Sequence, residues 1–324
     1  MRNYARLATG AVSLLLSAIG SPALAQAWPD KPVRIIVPSA AGGSPDAVAR
    51  VVADKLGAMV GARFFVENRP GAGGIAGMGA LKASAPDGYN FAMVPASTIV
   101  LAPHLFKSIP WTLGRDVEPV ALVGISPLVI AVKNDSPYRS LGDLVGDIRA
   151  NPDKINVATT ATNTLPNLLA KALADQTKTK PFIIPYPNSP TALTSLLRAE
   201  SKVFFDGYPT FAGMLQSGDV RLLAMFAEKR LSNFSDIPVV AETIPGLKAP
   251  GWFAFFAPKG LDAKIAAKFM ASLNEVLTDR EVSERLYALA VYPEKMSAEQ
   301  FATFIDREVK FWAEVAGNAG VTPQ

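Results

Sequence analysis

The sequence predicts a two-lobed α/β protein built on parallel βαβ units. Short β-rich runs alternate with stretches of helical periodicity, and a second such series begins at Pro127. At 324 residues, the chain is longer than one core usually serves. Hydrophobic residues make up 49% of it, enough for a substantial interior.

The first segment is read as a leader rather than as part of the fold. Arg2 and Arg6 precede an apolar run at residues 11–19, which leads to Pro22, Ala23, Leu24 and Ala25. That is the layout of a cleavable secretory signal, with the cut expected after Ala25 and Ala27 as a second candidate. The apolar run is far shorter than the roughly 20 residues a membrane span needs. Residues 1–25 are therefore assigned as a signal peptide.

After Trp28, Val33–Val37 reads as a strand and residues 46–59 carry helical spacing. Residues 64–66 are a second strand, the glycine-rich residues 68–79 lead into a helix toward Lys82, and residues 91–94 are a third strand. In the second series, residues 128–132 read as a strand and 140–150 as a helix capped by Ser140. Strands follow at 155–158, 182–184, 203–205 and 222–226, with helices at 165–174, 190–198 and 211–216 between them. Residues 252–257 are strand-like, and amphipathic helices follow at 263–277, 279–289 and 297–316. Pro119, Pro127, Pro238, Pro245 and Pro250 mark expected crossings and loops. One reading places residues 26–126 and 227–324 in the first lobe and 127–226 in the second.

Composition excludes several classes of function. Without cysteine there are no disulfides, thiolate metal sites, thiol nucleophiles or acylated anchor. An exported protein without an anchor points to a Gram-negative periplasm. With Arg2 and Arg6 removed from the 32 basic residues, 30 face 28 acids, a net charge of +2. The basic residues are scattered without a run, which argues against nucleic acid or a membrane surface despite a pI near 9.2.

The segment at residues 37–46 (V-P-S-A-A-G-G-S-P-D) follows a strand and opens a helix. Gly42 and Gly43 permit tight geometry, Ser44 or Asp46 can cap, and Pro45 suits a first helical position. Amides at such a helix start suit a carboxylate or phosphate. An ordinary capped turn fits equally well, and neither a Walker loop nor G-x-G-x-x-G is present. Residues 69–74 (R-P-G-A-G-G) offer amides again, although close backbone packing explains them better. Glu67 and Arg69 are read as a structural pair.

Residues 156–167 crowd Thr159, Thr160, Thr162, Asn163 and Thr164 between a strand and a helix. Those side chains suit helix capping and carboxylate binding alike. Catalytic constellations are missing: His104 is the single histidine, and H-E-x-x-H and G-x-S-x-G are absent. Asp46, Asp87 and Asp206 stand at spacings that imply no acid/base pair. The chain is therefore expected not to be an enzyme and to need no cofactor or metal.

The order of these segments resembles the substrate-binding proteins of tripartite tricarboxylate transporters, the Bug family, over nearly the whole mature chain. The landmarks are W-P-D-K-P-V-R-I-I-V-P at 28–38, G-G-S-P-D at 42–46, V-E-N-R-P-G-A-G-G at 66–74 and A-P-D-G-Y at 85–89, followed by Phe205-Asp206 and W-F-A-F-F-A-P at 252–258. The resemblance implies the two-lobed periplasmic binding protein fold (type II), with the ligand in the interlobe cleft. It implies a small di-, tri- or aromatic carboxylate passed by a monomeric receptor to two membrane subunits, with a sensor kinase as the alternative partner.

By the same resemblance, Ser39, Ala40, Gly43, Ser44 and Asp46 hold the carboxylate, with Ser97 and Thr98 nearby. Thr159, Thr160, Thr162, Asn163, Thr164, Tyr186 and Asp206 come from the other lobe. The sequence departs from the family pattern where specificity should lie. In the second lobe Ala161 and Asn163 replace glycines, Asn167 replaces a histidine, and Pro187 and Asn188 replace the lysine and glycine of P-Y-K-G; in the first lobe, separately, Ala41 replaces the common proline of the P-G-G turn. Tyr186, Phe205, Tyr208 and Phe211 are candidates to line an apolar cavity around an aromatic or hydrophobic ligand body.

Overall fold

The computed structural model describes residues 28–162, 164–321 and 323. The expected signal peptide, residues 1–25, lies outside the described residues. Among the described residues, eleven strands form two sheets. The first contains β1 (Val33–Val37), β2 (Phe64–Asn68), β3 (Asn90–Pro95), β4 (Val117–Ser126), β10 (Gly251–Pro258) and β11 (Tyr292–Pro293), in the order β11-β4-β10-β3-β1-β2. The second contains β5 (Leu128–Lys133), β6 (Asn156–Thr160), β7 (Phe182–Tyr186), β8 (Val203–Gly207) and β9 (Val220–Phe226), in the order β7-β6-β8-β5-β9.

Val33, Ile35, Ile36 and Val37 of β1 are fully buried, because helices cover both faces of this sheet. On one face α1 (Ser44–Val60), α10 (Ala263–Val276) and α11 (Arg280–Ala288) gather Val48, Val52, Leu56, Phe269 and Leu273 against Phe91 and Phe255. Phe91 and Phe269 stack with ring centroids 4.1 Å apart. The other face carries α2 (Ile75–Lys82), α3 (Ala96–Val100), α4 (Ala102–Leu105) and the C-terminal α12 (Ala298–Asn318). The second sheet carries α5 (Leu141–Ala150), α6 (Leu165–Thr177), α7 (Ser189–Leu197) and α8 (Ala212–Ser217). Ser140 caps α5 through a reciprocal bond with Asp143, as its position predicts.

The βαβ units are parallel where the alternation predicts them: β1 with β2 and β3, and β6 with β7 and β8. The strands that carry the chain between sheets are different. β4 and β10 pair antiparallel with each other, and β5 is antiparallel to β8 and β9. β4 ends at Ser126 and β5 starts at Leu128, so Pro127 marks the passage from one sheet to the other. Residues 227–250, which include the short helix α9 (Val240–Thr243), make the return. Pro119, expected in a loop or crossing, lies inside β4. It sits beside a register shift against β10 and beyond the stretch that β11 pairs, a break in the ladder of the kind that tolerates proline.

One continuous apolar core joins the sheets, running from Val94, Trp252 and Ala254 to Leu128, Ile130 and Phe205. The last helix reinforces the junction, since α12 packs on β4 and α3 and also on α6.

Candidate functional site

A cavity of about 410 Å³ lies between the two sheets, where the carboxyl ends of β3, β6 and β8 meet the junction of β4 with β10. Strand ends of open α/β sheets are the usual ligand sites, because chain reversals there leave backbone groups and loop side chains facing a crevice. The first sheet supplies Gly73, Pro95, Ala96, Ser97, Leu101, Ala102, Leu105 and Phe106, together with Trp252 and Phe253. The second supplies Leu128, Thr160, Thr164, Leu165, Pro166, Ser189, Asp206 and Gly207. Ser126 and Gly251 stand at the junction. A larger concavity of about 670 Å³ runs along α12 among Glu299, Lys295 and Arg307, but no strand of the second sheet lines it.

The cavity joins an apolar wall to a sparse polar set. Five of the lining side chains carry a hydroxyl: Ser97, Ser126, Thr160, Thr164 and Ser189. Asp206 is the one charged residue among the described lining residues, and no lysine or arginine accompanies it. The residue is 8% exposed, and its carboxylate accepts hydrogen bonds from Gly207 N at 2.8 Å and Thr210 Oγ1 at 2.9 Å, with the Ser189 side chain as a third partner. Burial pushes its pKa above the usual carboxylate value, and those three donors hold it back.

Three helices begin at the cavity, and two are capped by their own side chains. Thr164 Oγ1 accepts from Asn167 N at the start of α6, and Asn188 Oδ1 accepts from Thr191 N at the start of α7. The start of α3 after Pro95 has no side-chain cap. Thr164 also donates to Ala161 O and lies 3.0 Å from Thr160 Oγ1, so the two threonines form one hydroxyl pair at the rim.

Of the residues singled out in the sequence, Ser97, Thr160, Thr164 and Asp206 line the cavity together. Thr98 lies just behind it, with Oγ1 3.3 Å from the carbonyl of Gly73. Thr159 is fully buried and accepts from Asn167 Nδ2 at 3.0 Å, which ties β6 to α6 beneath the rim. Thr162 is exposed and outside the lining, and Asn163 lies outside the described residues. Tyr186 is half-buried, with its hydroxyl 3.4 Å from Ser201 Oγ, and it too is outside the lining.

Ser39, Ala40, Gly43, Ser44 and Asp46 also lie outside the lining. Their turn closes on itself: Asp46 accepts from Gly42 N at 2.9 Å and from Asn68 Nδ2 at 3.0 Å, and pairs with Arg50 at 2.9 Å. These bonds hold its carboxyl down to about 2. Ser39 Oγ is buried without a hydrogen-bond partner. The turn abuts the site indirectly, because Pro38 packs against Gly74 and Gly77. A Cβ on Gly74 would stand 2.7 Å from Thr98, so glycine there lets residues 69–74 pack onto α3. Arg69 pairs with Glu67, which also binds Arg34 at 3.1 Å.

The aromatic residues expected around a ligand are used elsewhere. Phe211 packs edge-on against Phe204, while Phe205 lies tilted against Phe226 and Tyr208 tilted against Phe234. The aromatic lining comes instead from Phe106, Trp252 and Phe253 of the first sheet. Ser126 and Ser189 were also missed. Ser189 had a legible signal, standing one residue after Asn188 at a strand-to-helix junction. His104 sits in the last turn of α4 outside the lining, and burial lowers its pKa. Among the described residues, no group of three His, Cys, Asp or Glu is placed to hold a metal, and no helix is long and apolar enough to cross a membrane.

Comparison with known proteins agrees with this architecture. Residues 48–321 match the family described as "Tripartite tricarboxylate transporter family receptor". The protein BugT of Bordetella pertussis is 32% identical over 316 residues, which cover 97% of each chain. The periplasmic binding protein BugD superposes with a TM-score of 0.74 at 29% identity, over 92% of this chain and 100% of that one. MatC of Rhodopseudomonas palustris, solved with bound malate, superposes with a TM-score of 0.73 at 26% identity, over 89% of this chain and 100% of that one.

Proposed function

The chain belongs to the tripartite tricarboxylate transporter receptor family, and from that premise we propose that it is an exported, non-enzymatic receptor that captures a small carboxylate between its two sheets. Residues 1–25 direct it to the periplasm and are removed. There the monomeric receptor passes its ligand to two membrane subunits of a tripartite tricarboxylate-type transporter. The lobes are residues 26–126 with 227–324, and residues 127–226. They close on the ligand, with Pro127 and the chain before Gly251 absorbing the motion.

The observation that carries this reading is the cavity of about 410 Å³, with its five hydroxyl side chains and apolar wall. Hydroxyls and backbone amides can satisfy a carboxylate without a cation. The malate bound to MatC supports the same ligand class. Ser97 and the hydroxyl pair of Thr160 and Thr164 are the nearest candidates to hold the carboxylate. Ser39, with its unpartnered hydroxyl, contributes if closure brings the turn at 37–46 inward.

Calorimetry of the purified mature protein against mono-, di- and tricarboxylates tests the reading, with X-ray scattering beside it. Saturable binding of at least one acid, with a fall in radius of gyration and recovery of the acid unchanged, is the expected result. If no small acid binds across a broad panel, the reading is wrong.

A further inference from the structure

Resting on the carboxylate-receptor reading above, we propose that the cavity selects acids that also carry a hydrogen-bond donor, a hydroxyl or an ammonium group, and that Asp206 is the residue that reads it. A carboxylate ligand entering this cavity meets one charged side chain, and that side chain has the same sign. Two anions in a small, largely apolar space repel strongly unless something stands between them. No lysine or arginine among the described lining residues can do so. The ligand must then bring the intervening group itself.

Asp206 is built to receive it. Two carboxylate oxygens offer about four acceptor positions. Gly207 N, Thr210 Oγ1 and the Ser189 side chain account for three, so acceptor capacity remains on a residue that lines the cavity. Those three bonds also fix the group rigidly, which gives a donor a single point to reach. Leu128, from the antiparallel neighbour of β8, lines the same region and adds apolar surface beside it. An acid without a donor leaves Asp206 facing either the ligand carboxylate or apolar surface, and both are unfavourable. The ligand class is therefore a hydroxy or amino acid whose carboxylate lies away from Asp206 and whose donor points toward it.

The test uses matched ligand sets with the mature protein in calorimetry: glutarate, 2-hydroxyglutarate, 2-methoxyglutarate and glutamate, and the parallel set built on 3-phenylpropanoate. The hydroxy or amino member of at least one set should bind about ten- to a hundred-fold more tightly than the unsubstituted acid. The methoxy member, which keeps the oxygen and loses the proton, should fall back to the unsubstituted level. Asp206→Asn should abolish most of the preference, weakening the donor-bearing acids while relieving the repulsion that the plain acids meet. The methoxy comparison needs no variant, so the proposal stays testable if Asp206→Asn does not fold.

The proposal is overturned if plain acids bind as tightly as their hydroxy and amino partners, if methoxy equals hydroxy, or if Asp206→Asn keeps the full preference. It is also overturned if no donor-bearing acid in either set binds. Failure of the carboxylate reading looks different. The corresponding diols and amino alcohols, which lack the carboxylate, would then bind as tightly as the acids while still depending on Asp206.

Discussion

Trp252 Nε1 donates a hydrogen bond to Glu308 Oε2 across 3.2 Å, joining the wall of the cavity to the C-terminal helix α12. Glu308 is 2% exposed. Arg307 lies 3.8 Å from its other oxygen and also pairs at 3.2 Å with Glu228, just past the end of β9. A line of polar contacts thus runs from the cavity to the segment that returns the chain to the first sheet.

Glu308 makes stability depend on pH. Burial pushes its carboxyl from 4.5 up to about 7, against the pull of Trp252 and Arg307, while Glu228 adds to the rise. The folded state therefore keeps its proton after the unfolded chain has released one. Stability is fully present below pH 4.5 and falls as pH rises toward 7. Glu308→Gln removes that loss and should leave the protein more stable than wild type above pH 7, by on the order of 3 kcal/mol. Urea unfolding at pH 4.5, 6 and 8 should show the gap opening with pH. A gap that does not change with pH would refute the assignment.

Asp46 works in the opposite direction. Its folded carboxyl sits at about 2 instead of 3.8, held down first by Arg50 and also by Gly42 N and Asn68. Its contribution is present above pH 3.8 and is lost as pH falls through 2. Asp46→Asn should cost about 1–2 kcal/mol at pH 7, the lower end reflecting screening of the half-exposed Arg50. Acid titration of both proteins should show the difference narrowing between pH 4 and 2.

How much was legible in the sequence depended on how local the cause was. The βαβ rhythm around β1, the cap at Ser140 and the strand-end hydroxyls Thr160 and Thr164 are written within a few residues of chain. β4 was not legible, because Pro119 and Gly124 look like strand breakers. Gly124 is explained only by β11, whose Tyr292 carbonyl would lie 2.4 Å from a Cβ there. The apolar side of the cavity was equally hidden. Leu101, Leu105 and Phe106 belong to the short helices α3 and α4 or follow them directly, and they gain meaning only where the second sheet faces them. Aromatic residues near β8 looked like ligand contacts from sequence, yet filling the interior of the second sheet takes priority for residues such as Phe204 and Phe211, both fully buried.

Thr159 holds the rim from below. Its Oγ1 accepts from Asn167 Nδ2 at 3.0 Å, and both residues are buried. Thr159→Val preserves shape but deletes that acceptor, which should cost about 1–3 kcal/mol. Hydrogen exchange should be faster in the first turn of α6 than in β6. Ligand affinity should fall with it, because Thr164 and Leu165 of that turn line the cavity.

The same substitution, glycine to alanine, should have opposite signs at two positions. Gly251 opens β10 opposite Ser126, and an added methyl would stand 2.4 Å from the Ser126 carbonyl and 3.3 Å from Leu128 Cδ1. The carbonyl belongs to backbone held in the ladder, so relief requires β4 and β10 to separate. Gly251→Ala should therefore cost about 1–3 kcal/mol. Ser126, Leu128 and Gly251 all line the cavity, so ligand affinity should drop as well. Gly146 lies inside α5, exposed, and a methyl added there would meet nothing within 4 Å. Gly146→Ala should stabilise by about 0.5–1 kcal/mol through helix propensity and leave ligand affinity unchanged. Thermal melts of both variants, with and without a bound acid, check the pair. If Gly251→Ala bound ligand normally, the junction of β4 with β10 would not be part of the site.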